Sequence, residues 1–276
     1  MTDLVWQEDD GRVVIWYMDG TTKTAEIEVG INPGAAWRVV GTGDLDDDGC
    51  SDIVFQNGVA VAVWPMDGAA PRLTESGDPD TRLLSIGTGS VVAVAGANVY
   101  LQTDDGPITV WTMGPDENGD PSIISTDTIA TPAGAGWRAR GVDYFNGDVV
   151  VRHDGGTAAV ARNDGSFYLA GPNPGLTNWQ IAAFADLDAS GRSDVIWEVQ
   201  DAGGVRAVVW LIETAEPGYA MALGDPQPLG ARIALSADFD EDGKFDLLWQ
   251  ADGGPATVWL MGGATVLDVF SLGVPA

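Results

Sequence analysis

Apolar residues along this chain gather in short, β-branched and aromatic runs bounded by Asp and Gly, without the three-to-four-residue spacing of a helix face. The clearest are DLVWQ from Asp3, DIVFQ from Asp52, NVYLQ from Asn98, DVVVR from Asp148, DVIWE from Asp194 and DLLWQ from Asp246. Runs of this kind are strands. A second run ending in a turn follows each: VVIWYMDG at Val13, VAVWPMDG at Val61, ITVWTMGP at Ile108, AAVARNDG at Ala158, AVVWLIET at Ala207 and ATVWLMGG at Ala256. A third extended stretch is less regular, as in TKTAEIEVG from Thr22 and ATVLDVFSLG from Ala264. The fourth comes just before the next repeat: WRVVGTGD at Trp37, LLSIGTGS at Leu83, WRARGVDYF at Trp137, WQIAAFAD at Trp179 and ARIALSAD at Ala231.

The repeats start near residues 3, 52, 98, 148, 194 and 246, a period of 46 to 52 residues. Four short strands per period, separated by Gly/Asp turns, are the pattern of propeller blades. A β-solenoid would have shorter rungs, and a sandwich would not repeat itself. The expected fold is therefore all-β, one domain over residues 1–276, a β-propeller of six blades with four antiparallel strands each.

Three of the connections carry candidate chemistry. Asp44–Asp52 (DLDDDGCSD), Asp186–Asp194 (DLDASGRSD) and Asp238–Asp246 (DFDEDGKFD) place oxygen donors at positions 1, 3, 5 and 9 around a glycine at position 6. Ca²⁺ takes six to eight hard oxygen ligands, and such a loop supplies most of them, with a main-chain carbonyl at position 7. The predicted ligands are Asp44, Asp46, Asp48, the Cys50 carbonyl and Asp52; Asp186, Asp188, Ser190, the Arg192 carbonyl and Asp194; and Asp238, Asp240, Asp242, the Lys244 carbonyl and Asp246. An EF-hand would need Glu at position 12, where this chain has Phe55, Trp197 and Trp249 inside strand-like runs. Four carboxylates about 5 Å apart repel by roughly 5 kcal/mol even in water, so the first and third loops call for a cation. Ser190 leaves the middle loop one carboxylate short and predicts weaker binding there.

Composition narrows the function. Thirteen basic against 41 acidic residues give a net charge of −28, which repels nucleic acid and anionic lipid surfaces. No apolar stretch approaches a membrane span, and the start, MTDLVWQEDDGR, lacks the basic and apolar regions of a signal peptide. Cys50 is the only cysteine, so no intramolecular disulfide or thiolate cluster can form. His153 is the only histidine, which excludes a multi-histidine metal site and makes His153 the sole candidate for a Ser–His–Asp hydrolase. Its setting, DVVVRHDGG, is that of a turn residue at a strand end.

The segment WRVVGTGDLDDDGCSDIVFQN followed by VAVWPMDG resembles the FG-GAP or VCBS-type repeats of integrin α-subunit propellers and bacterial secreted proteins, and weaker copies cover nearly the whole chain. The resemblance implies Ca²⁺ in the loop between the first and second strands of a blade, and a recognition surface. It also makes the strand before each acidic loop the innermost of its blade. Only five such strands are present for six repeats. Either another chain or segment supplies the sixth, or the chain is cut from a longer array, or the ring closes imperfectly; truncation or unusual closure is preferred to strand donation.

Two repeats depart from the loop pattern. Ser90–Asn98 reads SVVAVAGAN, expected to be a loop of the same length without carboxylates, and Tyr144–Asp148 (YFNGD) is about four residues shorter; neither is expected to hold calcium. The insertion GPDENGDPS from Gly114 reads as an exposed turn. Most tryptophans recur at fixed strand positions (Trp16, Trp64, Trp111, Trp210, Trp259; Trp6, Trp197, Trp249) and are expected to pack between blades. Trp37, Trp137 and Trp179 open the inner strands and are the candidates for a ligand platform.

The sequence thus predicts a noncatalytic propeller with three Ca²⁺ ions, extracellular or at the cell surface, recognising a carbohydrate or an extracellular protein in adhesion. Export would be leaderless, or the signal lost by truncation. The alternatives are a glycan-active enzyme using paired carboxylates and a structural spacer in a larger exported assembly, with self-association or strand donation at the open inner edge.

Overall fold

The computed structural model describes residues 3–86, 89–104, 106–143, 146–169, 178–212, 220–251 and 253–274. It is a β-propeller of six antiparallel blades, and no helix occurs among the described residues. The first blade has three strands, β1 (Leu4–Gln7), β2 (Val13–Asp19) and β3 (Thr22–Glu28). In the second, β4 (Arg38–Gly43), β5 (Asp52–Asn57) and β6 (Ala60–Trp64) are followed by a small hairpin, β7 (Met66–Asp67) and β8 (Ala70–Pro71), before the outer strand β9 (Arg82–Ile86). The third contains β10 (Ser90–Ala95), β11 (Asn98–Gln102), β12 (Ile108–Pro115) and β13 (Pro121–Ile129). The fourth contains β14 (Trp137–Val142), β15 (Val149–His153), β16 (Ala158–Ala161) and β17 (Phe167–Leu169). The fifth runs through β18 (Trp179–Ala185), β19 (Asp194–Asp201), β20 (Gly204–Trp210) and β21 (Ala220–Gln227), and the sixth through β22 (Ala231–Ala237), β23 (Asp246–Ala251), β24 (Ala256–Met261) and β25 (Val266–Gly273).

Six apolar clusters fill the six seams between blades. Leu45, Val54 and Val63 meet Val99 and Leu101 between the second and third blades. The ring is closed by Leu4, Val14 and Trp16 of the first blade against Leu248, Val258 and Leu272 of the sixth. Strands next to the inner one are buried on both faces, as in the first four residues of β5, because each blade is covered by a neighbour on either side. Their sequences are accordingly unbroken apolar runs, while the outer β3 is exposed along most of its length. Fully burying one large apolar side chain contributes about 1.5–3 kcal/mol, and Trp16, Trp197, Trp210 and Trp249 are all under 2% exposed. The repeat tryptophans pair within blades: Trp6–Trp16 at 5.1 Å, Trp197–Trp210 at 4.7 Å and Trp249–Trp259 at 5.0 Å between ring centroids.

Every inner strand carries a β-bulge at the same place, at Val39/Gly41, Val91/Ala93, Ala139/Gly141, Ile181/Ala183 and Ile233/Leu235. The bulge bends the strand where the blades converge on the axis. Gly43 shows how close they come, since a Cβ there would lie 2.2 Å from the Gly96 carbonyl oxygen.

The third blade corrects the expected register. Residues from Leu83 belong to the outer strand of the second blade, and Ser90–Ala95 forms the inner strand of the third. SVVAVA is a β-branched run with no turn residue, so it extends, and Gly96 at φ 55° makes the tight turn into β11. The displaced length is taken up by the β7–β8 hairpin. Of the short Tyr144–Asp148 connection, Tyr144 and Phe145 lie outside the described residues.

Candidate metal sites

Each acidic loop joins an inner strand to its neighbour, and all three share one backbone arrangement. The position-1 carboxylate accepts from the N–H groups of positions 5 and 6: Asp44 from Asp48 (3.2 Å) and Gly49 (3.0 Å), Asp186 from Ser190 (3.0 Å) and Gly191 (2.7 Å), Asp238 from Asp242 (3.2 Å) and Gly243 (3.0 Å). Gly49, Gly191 and Gly243 have φ of 87°, 79° and 85°, as the turn requires. Position 4 is also left-handed, at φ 60° in Asp47, 58° in Ala189 and 60° in Glu241. A non-glycine residue there costs roughly 1–2 kcal/mol, and nothing in the residue types announces it.

The position-9 aspartates are buried and bracket the loop. Asp52 accepts from Leu45 N–H and Met66 N–H (both 3.0 Å), Asp194 from Leu187 (3.1 Å) and Ile212 (2.8 Å), and Asp246 from Phe239 and Met261 (both 2.8 Å). Each ties the start of its loop to the chain at or just past the end of the second strand after it. Burial outweighs these bonds and pushes Asp52 and Asp194 up to about 7 and Asp246 up to about 6. Asp46 and Asp186 are raised too, again chiefly by burial.

Carboxylate oxygens of Asp44, Asp46 and Asp48 lie within 4.8 Å of one another, as do those of Asp186, Asp188 and Asp194 and those of Asp238, Asp240 and Asp246. Two oxygens bound to one Ca²⁺ at 2.3–2.6 Å are at most about 5 Å apart, so all three clusters fit one cation. Asp46 adds a separate sign: it is 4% exposed, and its Oδ1 is buried with no hydrogen-bond partner. Asp52 falls outside the first trio. In the third loop Asp242 is turned to Lys244 Nζ (2.6 Å), and in the second Ser190 Oγ reaches the Arg192 carbonyl at 3.5 Å. Cys50 follows Gly49 and is half-buried. The second loop also bonds the sixth blade, accepting from Phe245 N–H at Asp186 O (2.9 Å) and from Gly263 N–H at Leu187 O (3.0 Å).

Two arginines absent from the sequence expectations, Arg72 and Arg82, bear on the first loop. Arg72 donates to Asp46 and, at 3.0 Å, to Asp120 in the GPDENGDPS hairpin of the third blade, where Asp120 also pairs with Arg82. That hairpin is more than an exposed turn, because Asp120 ties it to the second blade.

The expected platform tryptophans are spread over separate seams. Trp37 is half-buried and lines a cleft of about 280 Å³ with Phe55 and Trp64. Trp137 is 8% exposed and packs edge-on to His153. Trp179 leans on Trp197 (5.9 Å) and Trp210 (6.4 Å). His153 serves its own turn, accepting from Gly155 N–H at Nδ1 (2.9 Å) with Nε2 3.1 Å from the Ala135 carbonyl.

No protein-family profile and no curated protein matches the chain. Among solved structures it is similar to a chain of the nidogen/laminin complex, with TM-score 0.61 and 13% identity over 97% of this chain and 92% of that one. At such identity the likeness shows the propeller fold alone. Weaker similarities are to a catalytically inactive virginiamycin B lyase from Staphylococcus aureus (TM-score 0.48, 10% identity, 97% and 82% covered) and an auxiliary nutrient binding protein from Bacteroides thetaiotaomicron (TM-score 0.47, 10% identity, 95% and 71% covered).

Proposed function

We propose that this chain is a calcium-stabilised, noncatalytic propeller of the FG-GAP or VCBS repeat kind that recognises an extracellular partner, a carbohydrate or a protein, in adhesion or surface assembly. The observation that supports it most is the common build of the three loops, each turning a position-1 carboxylate onto its own backbone and gathering three carboxylates within 4.8 Å. Ca²⁺ would supply a charge to neutralise these clusters and hold the loops shut. Asp44, Asp46 and Asp48, Asp186, Asp188 and Asp194, and Asp238, Asp240 and Asp246 would hold it, and the backbone bonds from Asp186 and Leu187 would pass the second loop's rigidity to the sixth blade. Sites of this kind fill reliably at millimolar calcium, which favours a place outside the cell. The noncatalytic part is supported by His153, committed to its own turn.

Bound-metal analysis together with thermal unfolding in calcium and in chelator tests the reading. Three calcium ions per chain and a lower melting temperature in chelator are expected, since ligand binding to the folded state adds to stability. No bound calcium and no shift would sink it.

A further inference from the structure

Glutamines near the ends of β1, β5 and β11 form a clamp across the seam to the next blade. Gln7 donates through Nε2 to Trp37 O (2.8 Å) and accepts at Oε1 from Val39 N–H (2.9 Å). Gln56 does the same with Gly89 O and Val91 N–H (2.9 and 3.0 Å), and Gln102 with Trp137 O and Ala139 N–H (3.0 and 2.7 Å). In the fourth blade Arg152 stands at this position, 5.5 Å from the Trp197 ring, and an arginine has no acceptor with which to complete the clamp. Its partner across the strand pair is Arg138, and like charges directly opposite are destabilising. Arg140, the extra residue of the β14 bulge, adds a third charge: burial first, and then the charge of Arg140, hold Arg152 below the usual arginine range. The bulges of the other inner strands carry Val40, Val92, Ala182 and Ala234 at this place, so the backbone itself does not call for an arginine.

Arg138 and Arg140 line a cleft of about 500 Å³ shared by the inner strands of the third, fourth and fifth blades, together with Ser90, Val91, Asp104 and Ile181. Arg38 and Arg232 stand at the register of Arg138 on their own inner strands, opposite Gln56 and Gln250. Four of the 13 basic residues of a chain of net charge −28 thus gather near the starts of the inner strands, while the acidic loops follow the other ends of such strands. Arg138 donates to Asp104 O at 3.5 Å and pairs with Asp154 at 3.5 Å, with side chains 43% and 65% exposed, a geometry of little worth in water. Arg140 has no ion pair among the described residues.

We infer that this cleft binds a sugar acid, a small molecule carrying a carboxylate beside hydroxyl groups. The guanidinium groups of Arg138 and Arg140 offer the forked donors that suit a carboxylate. Asp104 and the Ser90 hydroxyl would accept from the sugar hydroxyls, whereas Asp104 would only repel a bare anion. Val91 and Ile181 add apolar surface for ring C–H groups. A cleft of this volume suits a small ligand, and a cationic cleft focuses the field on an anion. The inference rests on the carbohydrate branch of the proposed function and narrows it, and it does not depend on the metal in the acidic loops.

The test is calorimetric titration of the 276-residue chain in calcium with galacturonate and with glucuronate. At least one should bind saturably and one to one, with galactose, glucose and acetate weaker by about tenfold or more. Arg140→Gln should weaken binding about tenfold without lowering the melting temperature or the bound-calcium count. Arg206→Gln, at an exposed arginine of β20 paired with Asp201 (3.2 Å), removes the same charge elsewhere and should leave binding unchanged. No saturable binding of either acid, acetate binding as tightly as the acids, or equal weakening by the two arginine changes overturns the inference. Binding of galactose or glucose that is as tight as that of the acids and indifferent to Arg140→Gln would overturn the acid site while leaving carbohydrate recognition in place. Absence of binding by every sugar, acid or neutral, would remove the carbohydrate branch as well.

Discussion

Arg72 Nη1 lies 3.0 Å from Oδ2 of Asp46, so the first acidic loop already holds a positive charge among its carboxylates. A cation entering the first loop competes with Arg72, which holds that site's affinity below what its carboxylates alone would give. Arg72→Gln should raise its calcium affinity several-fold in a calorimetric titration. Without calcium the same change should destabilise the fold by about 1–2 kcal/mol, less than for a fully buried pair because Arg72 is 30% exposed. Unchanged calcium affinity would show that Arg72 does not compete.

The position-9 aspartates have a role separable from metal. Asp52 is 0% exposed and satisfies Leu45 N–H and Met66 N–H, so Asp52→Ala strands two buried donors. Each unsatisfied group costs about 1–3 kcal/mol, which sets an expected loss of roughly 2–5 kcal/mol by urea unfolding. That loss should persist in chelator, whereas Asp48→Asn, at an exposed position, should matter only in calcium. Equal losses for both variants that vanish in chelator would contradict the bracket.

Stability without calcium should fall as pH rises. Burial raises Asp52 and Asp194 to about 7 and Asp246 to about 6, against about 3.9 in an unfolded chain. Between pH 4 and 7 the folded state therefore holds more protons than the unfolded state, and the stability these groups provide, complete below pH 4, is lost as pH climbs through the folded values. Calcium reverses the trend by favouring the ionised carboxylates, so its affinity should rise up to about pH 7 with proton release on binding. Melting temperatures from pH 4 to 8, with and without calcium, check both slopes. An apo protein more stable at pH 8 than at pH 5 would refute the assignment.

The loops were legible because their residue types carry their conformation: carboxylates at alternating positions, and Gly49, Gly191 and Gly243 where φ is positive. Left-handed Asp47, Ala189 and Glu241 were not, since the loop closure imposes that backbone on residues of no special type. The blade count and the three-stranded first blade followed from periodicity. The slip in the third blade came from a repeat without its acidic loop, which left SVVAVA no marker separating strand from connection. Arg72 and Asp120 are 48 residues apart, and only the ring brings them together. The recurring glutamines were visible as letters, but their partners lie on the next blade.

Those glutamines give a paired prediction that isolates the value of the seam clamp. Gln102 is 6% exposed and satisfies Ala139 N–H and Trp137 O across the seam, together with Gly106 O in its own blade. Gln102→Leu removes all three bonds, leaves Ala139 N–H buried without a partner, and should cost about 1–3 kcal/mol or more. Gln250→Leu removes only the bonds to Ala251 O and Gly254 O and eliminates an already unpaired Oε1, replacing a poorly satisfied polar group with an apolar one of similar size. It should therefore be near neutral or mildly stabilising in the isolated chain. Urea unfolding of both variants in calcium measures the difference. A large loss at Gln250 would mean that its Oε1 is already paired in solution, and comparable losses at both positions would remove the distinction between a paired and an unpaired Oε1.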